Sequence, residues 1–500
     1  MYLINLQIEN ITDLIIDIQL LNYFEARSYF VIFFQDGVNL KSIVNALFHY
    51  YIYNVVLINT KNFNVHTYVP FKYENLHQKV KILKITNCFD DVSKEALFPN
   101  KVPEFWRNTT LKIITLEFRP HVINNDVTNN NVHGSEFTLM KELKSYIKYK
   151  KLEITGSCSK TWGKKVGHNN YTKCFGDIMN KKADTGLGFF YSLETKCIDF
   201  DATHYIAFIE LVWTLPMARE ISIWTSFAYM SSKELYATQL FYMVILCLAF
   251  AFIGRLKHST KPILSWISTF LNSTIHSSKY NANTTSQRLV ILTINFYSII
   301  ISTFITGLFI TYLSRAVYEP QIKTTKDVID NNLVLNFNPD YLEYITKNDT
   351  IYYQVQKNYK PCKHYSCALC KEENNCVGLL SRGEAEYYQI QKYFDKTGRP
   401  TIYISKERMW APFSSWFFFK GHPMLAKFDK GIHYFQQGGF VDYYYKSTMF
   451  KSRLKYQKNI KDNDKRSLDL RPIFYMLIPC YTFSFIVFLV EVVWFRCTKH

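Results

Sequence analysis

Catalytic signatures are missing from this chain. It has no glycine-rich nucleotide loop, no GxSxG elbow and no HExxH helix, and its His and Asp residues form no local acid–base pattern. An enzyme is therefore not expected, nor is a cofactor or a metal. Acidic residues are in short supply: 41 Asp and Glu stand against 59 Lys and Arg, for a net charge of +18. Alone, such an excess suits nucleic acid or a solvated basic surface. Nucleic acid is set aside because charge is absent from three long stretches that belong in a bilayer. The opening MYLINLQIENITDLIIDIQL lacks the basic n-region and unbroken apolar core of a secretory signal, since Glu9, Asp13 and Asp17 interrupt it. What is abundant is apolar and aromatic character, at 48% and 17% of 500 residues. That excludes a disordered chain and leaves room for two or three domains.

The uncharged stretches are residues 235–254 (LYATQLFYMVILCLAFAFIG), 289–313 (LVILTINFYSIIISTFITGLFITYL) and 472–490 (PIFYMLIPCYTFSFIVFLV). About 20 apolar residues cross roughly 30 Å of hydrocarbon as a helix, so three transmembrane helices are predicted, the last extending to residue 496. Pro479 and several polar residues make the third the weakest. Residues 255–288 carry Arg255, Lys257, Lys261, Lys279 and Arg288 and no acidic residue, which makes them cytoplasmic. The N-terminal region and residues 314–471 then lie outside, and the tail 497–500 inside. The basic run KSRLKYQKNIKDNDKRSLDLR argues the other way, but it belongs to a long region that translocates largely regardless of charge. Inside the cytoplasmic segment, residues 262–275 (PILSWISTFLNSTI) are uncharged yet too short to span. A re-entrant pore loop fits, with Ser265, Trp266, Ser268 and Thr269 at its narrow part; an interfacial helix is the alternative.

The flanking regions read as two halves of an α/β domain, 111–234 and 314–471. LKIITLEF is a β-branched strand, and GSEFTLMKELKSYIKY places Phe137, Met140, Leu143 and Ile147 on one helical face. KLEIT is another strand, and CFGDIMNKKADTGLGFF is a helix followed by a strand. In the second half TTKDVIDNNLVLNF is helix then strand, GEAEYYQIQKYFD is helical, and PMLAKFDKGIHYFQQGGFVDYYY is a helix stopped at Gly438-Gly439. Residues 1–110 read as a short, incomplete N-terminal extracellular α/β domain.

Of 11 cysteines, Cys247 and Cys480 lie in apolar spans, Cys497 follows the last, and eight remain in polar segments. Cys362, Cys367, Cys370 and Cys376 have zinc-like spacing, but on the outer side disulfides are the expected state. Cys158 and Cys174 can bridge within the first half. Sequons at Asn108, Asn170 and Asn348 fall in outer segments, while those at Asn272 and Asn283 fall in the cytoplasmic loop and should be unused.

The order of these pieces over about residues 111–496 resembles the ionotropic glutamate receptor superfamily, in its insect chemosensory branch, the ionotropic receptors. LKIITLEFRPHVI, GDIMNKKADTGLG, VWTLPMAREISIW, STFITGLFITYLS with YEPQIKTTKDVI, and GHPMLAKFDKGIHYFQQGGFVDYYY carry the likeness. The resemblance implies a bilobed periplasmic-binding-protein-like extracellular domain on an α-helical pore module of three transmembrane helices and a re-entrant loop. It implies a ligand-gated, non-selective cation channel subunit in the plasma membrane, assembled with co-receptor subunits into a heterotetramer and serving chemosensation. The family arginine that grips a ligand carboxylate falls at Glu194, and its acidic ammonium ligand at Ser381, so a small-molecule ligand other than glutamate is implied. The start of the second lobe's hydroxyl-bearing helix, near Asn338-Pro339, does not match clearly. The gate cluster is replaced by a run containing Ser302, Thr306 and Gly307, the glycine still permitting close helix approach. The altered gate leaves a second possibility, a non-conducting binding or regulatory subunit.

Overall fold

Strands form where β-branched and aromatic residues alternate between a buried and a half-buried side. In Phe30–Phe34, for example, Phe30, Ile32 and Phe34 are buried. The computed structural model describes residues 2–6, 25–76, 80–87, 93–123, 132–221, 318–345, 349–362, 369–370, 375–394 and 399–457, apart from 36, 38, 159–160 and 168–169. It also describes the helices Thr285–Ser314 and Arg471–Cys497 and isolated positions between 237 and 248. The chain divides into two compact units: Met1–Met217 with Ile322–Asp462, and Ala218–Gln321 with Asn463–His500.

The larger unit holds three five-stranded sheets. The first comprises β1 (Tyr2–Leu6), β2 (Phe30–Phe34), β3 (Val55–Asn59), β4 (Asn64–Val69) and β5 (Lys81–Asn87) in sequence order. β1 to β3 run parallel, and β4 and β5 return antiparallel. The helix Leu40–His49 crosses from β2 to β3, with Asn39 accepting a cap bond from the Lys41 amide.

The second sheet starts with β6 (Thr110–Thr115) and β7 (Lys151–Ser157), linked through the helix Ser135–Ile147. β8 (Lys165–Gly167) and β9 (Asn170–Tyr171) form a separate hairpin. After the helix Lys173–Met179 comes β10 (Thr185–Leu187), then the helix Glu194–Asp199 and β11 (Phe200–Ala202). The chain then crosses through β12 (Ala207–Phe208) to β13 (Leu211–Pro216), which belongs to the third sheet. That sheet adds β14 (Val334–Phe337), β15 (Tyr359–Pro361), β16 (Cys376–Ser381) and β17 (Ile402–Trp410). The return crossing runs through β18 (Phe413–Ser414) to β19 (Phe417–Phe419), back in the second sheet.

Sheets two and three share one plan. Their orders are β11-β19-β10-β6-β7 and β15-β14-β16-β13-β17. In each, one strand has a parallel neighbour on either side: β6 between β7 and β10, β14 between β15 and β16. In each, the fourth place is taken by an antiparallel strand arriving from the other sheet, β19 in one and β13 in the other. The crossings themselves pair through β12 and β18.

Residues 1–110 do not make a core of their own. Phe30, Val55 and Trp106 share one apolar cluster with Leu111, Ile113, Met140, Trp416 and Phe428. The opposite face of β6, through Ile114, joins a second cluster. The chain after Gly438-Gly439 also differs from the sequence reading. The helix Leu425–Gln437 stops there, and a further helix, Phe440–Gln457, begins.

In the smaller unit the two linkers pair. The Ala218 amide donates to Gln321 Oε1 at 2.7 Å, the Glu319 amide donates to the Arg219 carbonyl at 3.0 Å, and Glu220 bridges Tyr318. The helix Thr285–Ser314 carries Ser302, Thr306 and Gly307, all exposed. Among the described residues, one stretch, Leu477–Trp494, is helical, long and apolar enough to cross a membrane, and the Thr285 helix contains the shorter apolar run Asn295–Phe304. The predicted re-entrant loop, with Ser265, Trp266, Ser268 and Thr269, lies outside the described residues, as does most of the predicted span 235–254.

Gly134, just ahead of the helix Ser135–Ile147, has φ +133°, and a Cβ there would meet the His121 carbonyl oxygen at 2.2 Å. Gly134→Ala is expected to lower stability by about 2 kcal/mol or more. Gly156→Ala, whose Cβ would meet only Ile114 Cδ1 at 4.0 Å, should stay within about 0.5 kcal/mol of wild type. Thermal unfolding of the full chain in detergent compares the two.

Candidate functional site

Aromatic side chains fill the seam between the second and third sheets. Tyr191, on the crossing side of the second sheet, places its hydroxyl 3.1 Å from that of Tyr341, in the 3-10 helix Pro339–Tyr344 that follows β14. Trp162 packs edge-on against Tyr191, and Phe118 stacks on Phe189. All of these are buried, and one apolar cluster draws on both sheets. Asn338 caps the short helix by accepting from the Asp340 amide. Beside the seam Arg119 links residues that flank the second and third sheets. Its Nε donates to Glu117 Oε1 at 2.7 Å and its Nη1 to Gln391 Oε1 at 3.3 Å, and its guanidinium faces the rings of Tyr387 and Tyr388.

A cavity of about 280 Å³ opens next to this seam, where the outgoing crossing passes the start of the helix Arg382–Lys392. The second sheet's lobe supplies His121, Glu136 and Phe189, the crossing supplies residues 206–210, and the helix Phe440–Gln457 supplies Tyr445. Each wall follows from local structure. The left-handed turn at Gly134 sets the helix Ser135–Ile147 against His121, whose Nδ1 lies 2.9 Å from Ser135 Oγ. His121 stacks on Phe189 with ring centroids 3.5 Å apart, and Tyr445 lies beyond it. Burial holds the His121 ring's pKa down to about 3, so the imidazole is neutral.

Two acids of the cavity wall are bonded inside the protein. Glu136 is buried, and its carboxylate accepts from the Gly188 and Phe189 amides at 3.0 Å each and from Trp416 Nε1 at 2.6 Å. Burial pushes this carboxyl up to about 7, against the pull of those three bonds. Glu210 accepts from Arg382 Nε at 2.6 Å and lies 3.7 Å from Arg408. Asp442 stands exposed at the mouth.

Ser381 lines this cavity and also caps the helix behind it, accepting from the Glu384 amide and donating to Glu384 Oε2, both at 3.2 Å. Glu194 begins a six-residue helix, and its side chain lies outside what is described. Cys158 is bonded to Cys174 and Cys370 to Cys376; Cys362 is also disulfide-bonded, and Cys367 lies outside the described residues. Asn108 and Asn170 are exposed, the Asn108 amide already donating to the Tyr73 carbonyl at 2.8 Å, and Asn348 lies outside the described residues. Among the described residues no group of His, Cys, Asp or Glu is arranged to hold a metal. His121, Glu136 and Tyr445 escaped the sequence reading. Only the ambivalent RPH tripeptide and a charged residue on an apolar helix face could have signalled the first two. No known family model matches the chain, and no characterised protein matches it.

Burial pushes the Glu384 carboxyl up to about 8, from 4.5, and its Oε1 has no hydrogen-bond partner among the described residues. A folded pKa above the unfolded one means that the protonated form's stability is complete below the unfolded value and is lost as pH rises through about 8. Glu384→Gln does not ionise. Its melting temperature relative to wild type is therefore expected to climb between about pH 5 and about pH 8.5. A difference that stays flat or shrinks would contradict this.

Proposed function

We propose that this chain is a ligand-gated cation channel subunit of the chemosensory ionotropic receptor type, with the twinned sheets as a bilobed, periplasmic-binding-protein-like sensor outside the membrane. The observation that carries the reading is the shared strand plan, with one strand exchanged in each direction, interrupted between β13 and β14 by a separate unit that carries the 30-residue helix Thr285–Ser314. Disulfides in both lobes support an oxidising exterior. The gating logic is differential affinity: a ligand that favours one arrangement of the lobes biases the linkers at Met217 and Ile322. Glutamate is not the ligand in this reading, since Ser381 serves as a helix cap and the seam is filled by Tyr191 and Tyr341. Partner co-receptor subunits in a heterotetramer and a place in the plasma membrane belong to the same proposal.

The filled seam also favours the second reading, a subunit that binds or regulates without conducting. Epitope tags at Lys257 and Lys326 test what the two readings share. The Lys326 tag is expected to be reached by antibody on intact cells and the Lys257 tag only after permeabilisation; both on one side would end the scheme. Co-expression with several co-receptors then separates them: evoked cation current supports the channel, and surface delivery without current supports the regulatory subunit.

A further inference from the structure

Two uncharged polar atoms of the cavity wall have no hydrogen-bond partner among the described residues, His121 Nε2 and the Tyr445 hydroxyl. His121 is 8% exposed, its Nδ1 is taken by Ser135, and no group among the described residues bonds its Nε2. The acids in the wall are already engaged: Glu136 accepts from three N–H donors, and Glu210 is paired with two arginines. A charged guest would lose its hydration without gaining a counter-ion. Asp442 sits at the mouth, where water screens it. Much of the remaining wall is apolar or aromatic, with Leu139, Ile206, Phe189 and Phe208 beside His121, and Arg382 in it is paired with Glu210. In scale, an apolar cavity of about 150 Å³ accepts benzene. A volume of about 280 Å³ suits one substituted ring or two fused rings.

We propose that this cavity binds a small uncharged molecule carrying a flat ring and a single hydrogen-bonding group, which His121 Nε2 recognises. The ring lies on the surface made by Phe189, Tyr445 and the crossing, and the polar group points at His121. This names the ligand class of the receptor reading above and rests on it for its biological sense, but its binding test does not depend on conduction.

Full-length protein in detergent is titrated with 4-ethylphenol and indole as neutral probes, and with benzoate, benzylammonium and glutamate as charged ones, by ligand-observed saturation-transfer NMR. The neutral probes are expected to bind saturably, and the charged ones at least about tenfold more weakly. Leu139→Trp fills the cavity and should abolish the saturable signal, which also subtracts partition into micelles. His121→Phe should weaken 4-ethylphenol by about tenfold and leave ethylbenzene unchanged. Charged probes binding as tightly as neutral ones, or neutral binding that survives Leu139→Trp, would overturn the proposal. If either variant fails to fold, the wild type carries the test through photolabelling with a phenyl diazirine. Labelling within 206–210 or 441–445, competed by 4-ethylphenol, supports the site; labelling confined to the apolar helices 285–314 and 471–497 overturns it. Saturable neutral binding without evoked current keeps the cavity and removes the channel reading. Current evoked by neutral probes that survives Leu139→Trp keeps the channel and removes the cavity.

Discussion

Two strands in borrowed positions hold the larger unit together. β13 sits between β16 and β17, and β19 between β10 and β11. Taking either away would leave facing rows of amides and carbonyls without partners in the middle of a sheet, where water cannot substitute cheaply. Neither sheet is therefore complete without its exchanged strand, and sequence separated by some 200 positions must fold together. Leu211 to Thr214 pair with Ser381 to Gly378 across that distance, and Phe200 to Ala202 pair with Phe419 to Phe417. Everything argued about function sits where these exchanged segments cross: the aromatic seam, the Arg119 tie and the cavity bounded by residues 206–210.

The crossing is also where charge is most tightly managed. Glu136 receives donors from two chain regions, the turn after β10 and the return crossing at Trp416, so its carboxylate pins both to one helix. A buried carboxylate is tolerated only when its oxygens are satisfied. Satisfying Glu136 this way occupies carboxylate oxygens that would otherwise be open to the cavity. The same economy applies to Glu210 between Arg382 and Arg408. The engagement of both acids is thus a by-product of how the crossing is held.

Part of this was legible in the sequence. The helix Arg382–Lys392 announces itself by the S-x-x-E spacing of Ser381 and Glu384, and the helix Thr325–Asp330 by the capping box of Thr324 and Asp327. The break at Gly438-Gly439 was legible, but the helix that follows it was not, because FVDYYYKSTMFKSRLKYQ is aromatic on one turn and charged on the next. Strand exchange left no local mark, since VWTLP reads as a strand whichever sheet receives it. The candidate site was the least legible. Its residues come from six separated segments, and the position singled out from family likeness, Ser381, turned out to be held by its own helix. The apolar faces of the first sheet say that they must be covered, not by what; Trp106 and Phe71 are packed into the same core as Trp416.

Native-state amide hydrogen exchange on the full chain reads the central claim most directly. If the exchanged strands close both sheets, the amides of 211–216 and 417–419 will be protected as strongly as those of 376–381 and 110–115, and all four will open together on destabilisation. Fast exchange in 211–216 or 417–419 beside protected neighbours would mean that the lobes complete themselves without each other, and the account built on their crossing would be wrong.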